Sequence, residues 1–371
     1  MRERLSRHNV ATFARSVAWS PVTFSIILAL AVGAAIVAVT GQDPFLAYRE
    51  MFTGAVDGSG LRNTLSRSIP IVGMALAVSV AFRARVINLG GEGQMVVGGL
   101  AGTVVAIYTP GPGAVVIPLA LIAGAAAGAL WALLPALGQT RLALPILITS
   151  LLLNYVGRAI TGYLVRFPLA DVSVTLATTR QVPETARMPK MPIFGGVSLS
   201  LILVILLVAG LWVAYSRSVV GYETQMAGYS GRFARYGGVP VERQTVGVML
   251  VAGAIGGAIG THLIIGDALR FIEGELVLSG LAWTGLLVSL LAANRPVFIL
   301  IAGVLFSGLQ IGGLAMQRNA EISWRLAQVL QSLVIIAVAS RLSPTRWRPK
   351  AVPGSEAADE LTAEPARMGE I

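Results

Sequence analysis

The segment Ile87-Asn88-Leu89-Gly90-Gly91-Glu92-Gly93-Gln94 is polar and rich in glycine, yet it lies between two long apolar runs. A charge at mid-membrane costs ~2.5–3.5 kcal/mol on insertion scales, so a carboxylate beside lipid needs a reason. Closely spaced glycines allow backbones, helices or a ligand to approach one another. The segment therefore predicts a membrane protein with a functional interior.

The composition of the 371-residue chain is typical of an integral membrane protein. Hydrophobic residues make up 55% of the chain and charged residues 12%, whereas soluble proteins have roughly 25% charged residues. The mean hydropathy is +0.75. The chain has no cysteine and only two histidines, so neither disulfides nor a metal cluster are expected. The net charge of +10 is expected to reflect loop topology rather than binding of nucleic acid.

The apolar runs are long enough to span a membrane, because a helix needs about 20 apolar residues to cross ~30 Å of hydrocarbon. The sequence predicts an all-α integral membrane protein with about ten transmembrane helices, some of them broken or re-entrant. The predicted spans are 22–40, 64–82, 88–108, 113–137, 142–164, 198–216, 245–265, 275–293, 296–315 and 323–341.

The arginines predict which loops face the cytoplasm. The positive-inside rule assigns basic loops to that side. The basic segments are the N-terminal tail and those that hold Arg83, Arg85, Arg141, Arg217, Arg232, Arg235, Arg243 and Arg295. The alternate loops hold most of the mid-chain acids, although the long loop 165–197 also carries basic residues. Both termini are therefore predicted to be cytoplasmic.

Three regions follow from this topology. Residues 1–21 form a basic cytoplasmic tail, and residues 22–342 form the transmembrane domain, with a cytoplasmic loop at 217–244. Residues 343–371 are rich in Pro, Ala and Glu and are predicted to be a disordered cytoplasmic tail.

The transmembrane domain contains a weak internal repeat. The stretch that begins at Glu92 matches the stretch that begins at Glu273 at six of eleven positions, with an offset of 181 residues. The same offset lays the first five spans on the last five, which predicts repeats at about 22–165 and 198–342. Because five is odd, the two repeats would be inverted, as in many transporters. The alternative is that two glycine-rich packing helices are similar by chance.

The chain lacks the motifs of nucleotide hydrolysis and of common hydrolases. No Gly-x4-Gly-Lys-Ser/Thr sequence occurs, and neither lysine follows a glycine loop. We predict no catalytic residue and no metal ligand, and the chain is not expected to be an enzyme.

The predicted loop 217–244 contains an aromatic stripe. Its residues recur at spacings of 4, 3, 4 and 3, which predicts one amphipathic helix over 222–236, ended by Gly237-Gly238. The stripe consists of Tyr222, Met226, Tyr229, Phe233 and Tyr236. Such a helix would either dock into a partner or lie on the membrane surface.

Three motifs resemble permease subunits of bacterial ABC importers for branched-chain amino acids, simple sugars and nucleosides. Asn88–Gln94 is similar to the family signature N-[IL]-G-x-E-G-Q, in its nucleoside-type version, and Leu153-Asn154-Tyr155 is similar to the L-N-[YF] of the fifth span. Residues 221–241 resemble the segment that contacts the ATPase, although Ser230 stands where the family usually has Asn. Leu144-Pro145-Ile146 also replaces a common Asn-Glu-Val.

The resemblance implies an importer of nucleosides in the bacterial plasma (inner) membrane. The implied partners are ABC ATPase subunits that bind ATP and Mg, a second permease subunit in a homo- or heterodimer, and an extracytoplasmic substrate-binding protein. The chain would be surrounded by membrane lipid. We expect it to bind no nucleic acid and no cofactor. The implied ATPase-coupling residues are Gly221, Tyr222, Gly228, Tyr229, Phe233, Ala234, Arg235, Tyr236 and Gly238.

A nucleoside route needs amide and hydroxyl groups in an otherwise apolar wall. The residues that we assign to it are Asn88, Glu92, Gln94, Asn154, Tyr155 and Gln310. For the uncharged residues the alternative is a hydrogen bond between helices. For Glu92 the alternative is a bond to backbone N–H groups at a helix start, with Glu273 in the same role on the outer side.

The sequence also allows other functions. A simple-sugar permease of the same family is the nearest alternative. An ion-coupled secondary transporter would need several buried ionisable residues, for which only Glu92 and Arg158 are candidates. A membrane scaffold would not need the glycine-broken spans.

Overall fold

The fold is known from a computed structural model that describes residues 21–192, 195–326, 328–329 and 332–333, with side chains from Leu30 onward. Both predicted tails and most of the span 323–341 lie outside the described residues. The chain divides into two units, one formed by residues 1–31 and 333–371 and one by residues 32–332. The packing below belongs to the second unit.

The described residues form an all-helical protein, as predicted, and their only β features are three isolated bridges. The helices are α1 (Pro21–Val39), α2 (Pro44–Val56), α3 (Gly58–Arg83), α4 (Gly91–Tyr108), α5 (Gly113–Leu142), α6 (Ile146–Arg166), α7 (Ser200–Arg217), α8 (Val219–Tyr229), α9 (Gly231–Tyr236), α10 (Val241–Leu263), α11 (Glu275–Leu278), α12 (Leu281–Leu291) and α13 (Pro296–Ala320). A 3-10 turn covers Glu184–Ala186, and a π-helical turn, Ile264–Ala268, extends α10.

Five of the described helices are long and apolar enough to cross a membrane: α3, α5, α7, α10 with its π-helical extension, and α13. Of these, α3 and α10 are mostly buried, whereas only 22% of the spanning part of α5 and of α7 is buried. The interior of the bundle is therefore built around α3 and α10. The predicted span 275–293 is broken at Ser279-Gly280 into α11 and α12.

Glycines bring α4, α5 and α10 into backbone contact. A Cβ placed on Gly98 would lie 2.2 Å from the Cα of Gly257, and one on Gly257 would lie 2.1 Å from the carbonyl oxygen of Gly124. The hydroxyl of Thr261 donates to the carbonyl of Gly98 at 3.2 Å. The small-residue spacings in the sequence therefore mark the point where three helices cross.

The bundle has two ends, which we call the basic end, after its arginines, and the loop end, after its long connecting segment. The basic end holds the junctions α3–α4, α5–α6, α7–α10 and α12–α13, with the arginines predicted to be cytoplasmic. The loop end holds the long segment 167–199 and the segment 264–275 that follows α10. Helix α2 also lies at the loop end, where Asn319 at the end of α13 donates to Glu50 at 2.8 Å.

Two details of the sequence prediction need correction. The sequence does not predict helix α2, because its 13 residues are too few and too mixed to be recognised as a span. The single amphipathic helix predicted over 222–236 is two helices, α8 and α9. Ser230 separates them with an extended backbone (φ −158°, ψ 108°), and its hydroxyl accepts the N–H of Phe233 at 3.3 Å.

The long segment at the loop end is tied to the chain that follows α10. The N–H of Thr179 donates to the carbonyl of Phe271 at 3.1 Å, and Arg270 forms an ion pair with Asp171 at 3.1 Å. Hydrogen bonds from the hydroxyl and N–H of Ser173, with the charge of Arg270, lower the pKa of Asp171. This pairing gives the loop end a fixed structure.

Candidate functional site

The polar segment before α4 folds into a turn held by its own side chains. Asn88 and Gln94 are buried and exchange two amide hydrogen bonds of 3.3 and 3.4 Å. The side-chain oxygen of Asn88 also accepts the N–H of Gly90 at 2.9 Å. Both side chains thus hold the start of α4 through bonds within one turn, and not through the bond between helices that was the alternative given for them.

Helix α6 holds the same turn from the other side. The side chain of Asn154, which is buried, accepts the N–H of Gly93 at 2.8 Å and donates to the carbonyl of Leu89 at 2.8 Å. The hydroxyl of Ser150, one turn earlier on α6, accepts the N–H of Leu89 at 3.1 Å. The turn and α6 therefore form one hydrogen-bonded unit.

Glu92 lies in the first turn of α4, half-buried. Its carboxylate makes no hydrogen bond to the described residues, so the anchor of this helix start is Asn154 rather than Glu92. Glu92 borders a small cavity shared with Asn88, Val78 and Trp283. Its counterpart Glu273 forms an ion pair with Arg166 at 2.6 Å.

The outer face of α6 carries Tyr155 and Arg158, and both side chains are exposed. Arg158 is near the middle of a helix of 21 residues. It borders a cavity of about 230 Å³ with Thr161 and Glu273. Because an exposed charge at this depth is costly in lipid, the face is suited to contact with protein or with a water-filled route.

Gln310 lies in a second polar region, which the sequence prediction did not identify. Its side-chain carbonyl accepts a hydrogen bond of 3.3 Å from Arg67 of α3. Asp267 lies in the π-helical turn. Its carboxylate interacts electrostatically with Lys190 and with Arg67. Arg67 lies within the predicted span 64–82, so, contrary to the sequence prediction, Glu92 and Arg158 are not the only ionisable residues of the predicted spans. This position is the signal that could have located the region.

The predicted coupling residues fall into two groups at the basic end. One group is exposed and consists of Tyr222, Tyr229, Phe233, Arg235, Tyr236 and Gly238. The other is buried and consists of Gly221, Gly228 and Ala234. We call the exposed aromatic residues of α8 and α9, Tyr222, Tyr229, Phe233 and Tyr236, the aromatic surface.

The buried glycines seat α8 on the bundle. A Cβ on Gly228 would lie 2.2 Å from the carbonyl oxygen of Arg83, and one on Gly221 would lie 2.3 Å from that of Ala214. Arg235 forms an ion pair with Glu242 of α10. Close contacts thus join the α8–α9 pair to α3, α7 and α10, while its aromatic surface has no cover among the described residues.

Within the described ranges no group of three or more His, Asp or Glu side chains comes together. The long apolar helices define a helical membrane protein. The sequence profile described as branched-chain amino acid transport system / permease component matches residues 60–339, and the chain belongs to this family.

Characterised relatives share most of the chain. A glucose ABC transporter permease of Haloferax volcanii is 29% identical over 86% of each chain. A guanosine ABC transporter permease of Bacillus subtilis is 29% identical over 85% of this chain and 91% of its own. A nucleoside ABC transporter permease of Lactococcus lactis is 26% identical over 88% and 92%. No solved structure matches.

The chain is therefore a permease component of the sugar and nucleoside ABC transporters, and a transport component rather than an enzyme. The family and its apolar helices make it a multi-pass membrane protein.

Proposed function

We propose that this chain is the permease subunit of a bacterial ABC importer and that it carries nucleosides. The observation that carries the coupling role is the aromatic surface, which is exposed on two helices that are fixed to three helices of the bundle. In this proposal a groove of a separate ATPase subunit covers this surface. ATP and Mg bind to that partner, and this chain binds no cofactor.

The nucleoside substrate is supported by the Glu-Gly-Gln version of the Asn88–Gln94 motif and by two of the relatives. The exposed face of α6 is suited to such a substrate, because Tyr155 offers a ring for stacking and Arg158 offers hydrogen-bond donors. Simple sugars are the alternative, since a glucose permease is equally similar. An ion-coupled transporter is less consistent with the family.

The route is proposed to run along this face of α6, against a second permease subunit. A second subunit, identical or different, would shield Arg158 from lipid. Tyr155 and Arg158 would line the route, with Glu92 at its edge. Gln310, which we also assigned to the route, lies instead in the separate polar region beside Arg67. Asn88, Gln94 and Asn154 would support it from behind through the buried turn. A substrate-binding protein would deliver the solute at the loop end.

The inverted-repeat architecture is supported by the helix bounds. When the helix bounds are shifted by 181 residues, α1 maps to 202–220, which overlaps the residue range of α7. In the same way α3 maps to 239–264 and overlaps α10, and α5 maps to 294–323 and overlaps α13. Helix α2 becomes 225–237, which overlaps α8 and α9. Helix α2 and the α8–α9 pair lie at opposite ends of the bundle, as inversion requires.

The arginines of the basic end support a cytoplasmic position for that end. With this orientation both termini are proposed to be cytoplasmic and the protein to lie in the plasma membrane. The ATPase would then meet the aromatic surface on the side where ATP is found.

Co-purification tests the coupling role. Tyr229→Asp and Phe233→Asp place a charge on the aromatic surface, and we expect the ATPase to be lost from the purified permease. Tyr108→Asp is the matched control, because Tyr108 is also exposed but ends α4 at the loop end. Full retention of the ATPase by both surface variants would instead favour a surface that lies on lipid.

A further inference from the structure

Two arginines converge on a cavity at the basic end, between α3, α7 and α13. The cavity has a volume of about 310 Å³ and is bordered by Arg83, Arg295, Trp212, Tyr215 and Phe298, among others. No acidic side chain borders it. Within the described part of the chain, neither arginine forms an ion pair. The cavity therefore carries two positive charges that the described residues do not neutralise.

Both guanidinium groups lie beside aromatic rings. Arg83 lies 4.1 Å from the ring centre of Tyr215 and donates to the carbonyl of Asn294 at 3.4 Å. Arg295 follows Asn294 directly and lies 5.9 Å from the ring centre of Phe298. Asn294 has a positive φ of 58°, and its side-chain carbonyl accepts the Ser289 hydroxyl at 2.9 Å. One short turn thus positions both charges.

The start of α13 adds a third source of positive potential. Helix α13 has 25 residues and begins with Pro296, next to Arg295. As at any helix start, the N–H groups of Val297 and Phe298 have no partner within the helix, and the helix dipole favours a negative charge there. Arginine and a helix N-terminus are two common ligands of phosphate groups in proteins.

Apart from the arginines, Tyr215 and Ser216, the residues that line the cavity are apolar, and two of them face outward. Trp212 is 49% exposed and Phe298 is 51% exposed, on helices that end or begin at the basic end. Tryptophan is enriched where membrane and water meet. An anion that binds here would have its charged group at the arginines and an apolar portion beside the helices.

We propose that this cavity binds the phosphate headgroup of an anionic lipid. Arg83, Arg295 and the start of α13 would bind the phosphate, and the acyl chains would lie along α7 and α13. The site is separate from the substrate route. It adjoins the coupling helices, because α8 packs through Gly228 on the carbonyl of Arg83. A bound headgroup would fix the last turn of α3, on which α8 rests.

Native mass spectrometry of the delipidated full-length permease tests this site with phosphatidylglycerol and phosphatidylcholine. We expect the wild type to favour phosphatidylglycerol by roughly 30-fold, since two interfacial arginines that each add on the order of 1 kcal/mol for anionic lipid give about 2 kcal/mol. The variant Arg83→Gln/Arg295→Gln should lose this preference. Arg85→Gln/Arg232→Gln is the control, because it removes the same charge from the same end outside the cavity.

Three results would overturn the proposal. The first is a preference that persists in the Arg83→Gln/Arg295→Gln variant. The second is an equal loss in the control, which would indicate a general surface-charge effect. The third concerns inorganic phosphate added in the same experiment. If it binds in a way that requires Arg83 and Arg295 but displaces no lipid, the cavity is a site for a soluble anion. If the double variant does not fold, the single variant Arg295→Gln tests the site. Because the Arg295 side chain is exposed, this change should weaken the preference for phosphatidylglycerol and leave folding unchanged.

Discussion

The side-chain amide of Asn154 bonds on both of its sides to the backbone turn that contains Gly93. Its oxygen accepts the Gly93 N–H at 2.8 Å, and its nitrogen donates to the Leu89 carbonyl at 2.8 Å. A single residue of α6 thereby gives partners to the Gly93 N–H and the Leu89 carbonyl, which have no hydrogen-bond partner within helix α4. Helix α6, which carries the proposed route, is thus fixed to the start of α4.

We expect Asn154→Ala to destabilise the permease by about 1–3 kcal/mol, because it leaves a buried N–H and a buried carbonyl without partners. Thermal unfolding of the purified protein measures this change. Thr149→Ala is the control, since that hydroxyl bonds only to carbonyls of its own helix start. Equal unfolding temperatures for the two variants would show that the turn does not depend on Asn154.

Two glycines of α10 provide a matched test of helix packing. Gly257→Ala places a methyl group 2.1 Å from the carbonyl oxygen of Gly124, so α5 and α10 must separate and stability should fall. A methyl group on Gly247 would meet no atom within 4 Å, so Gly247→Ala should be neutral or stabilise the helix by about 0.5–1 kcal/mol.

Thermal unfolding and the yield of folded protein distinguish these two variants. A Gly257→Ala protein as stable as Gly247→Ala would mean that the three-helix crossing is looser than described.

The sequence was sufficient for the helical architecture, because the apolar runs and the glycine spacings record burial directly. It was insufficient for α2, which is short and amphipathic and packs Gly54 against Ala315 far along the chain. It also missed the break at Ser230, because a helical spacing of aromatic residues continues across a residue that is itself non-helical.

Ser230 separates α8 from α9 and caps α9. We expect Ser230→Ala to destabilise α9 by about 1 kcal/mol, because the Phe233 N–H loses its acceptor. Hydrogen exchange of residues 231–236 should then become faster. Ser230→Asn should keep the slow exchange, since asparagine is an equally good cap. Faster exchange in both variants would mean that the side-chain bond is not what orders α9.

Glu92 has the free carboxylate nearest to the buried turn. We expect Glu92→Gln to keep the wild-type unfolding temperature. It should reduce uptake by roughly tenfold, the effect of losing one hydrogen bond between the substrate and a charged group. Glu184→Gln, at an exposed position of the loop end, is the control for loss of one negative charge. Uptake at the wild-type rate would assign Glu92 no function in transport.

The candidate site was predictable in part. The motif at Asn88 and the aromatic stripe located two places where polar or aromatic groups need partners. The sequence could not tell that Asn88 and Gln94 would bond to each other. It also could not tell that Asn154 would bond to the backbone of Leu89 and Gly93, because those bonds depend on how α4 and α6 meet. Nor could it bring Arg67 to Gln310, since 243 residues separate them.

Substrate-stimulated ATP hydrolysis tests the central claim most directly. The permease is purified with its ATPase and substrate-binding partners, reconstituted in lipid, and assayed with a panel of nucleosides and simple sugars. We predict that a nucleoside stimulates ATP hydrolysis and that Tyr229→Asp abolishes the stimulation. Stimulation by a pentose or a hexose, with no response to any nucleoside, would contradict the nucleoside assignment.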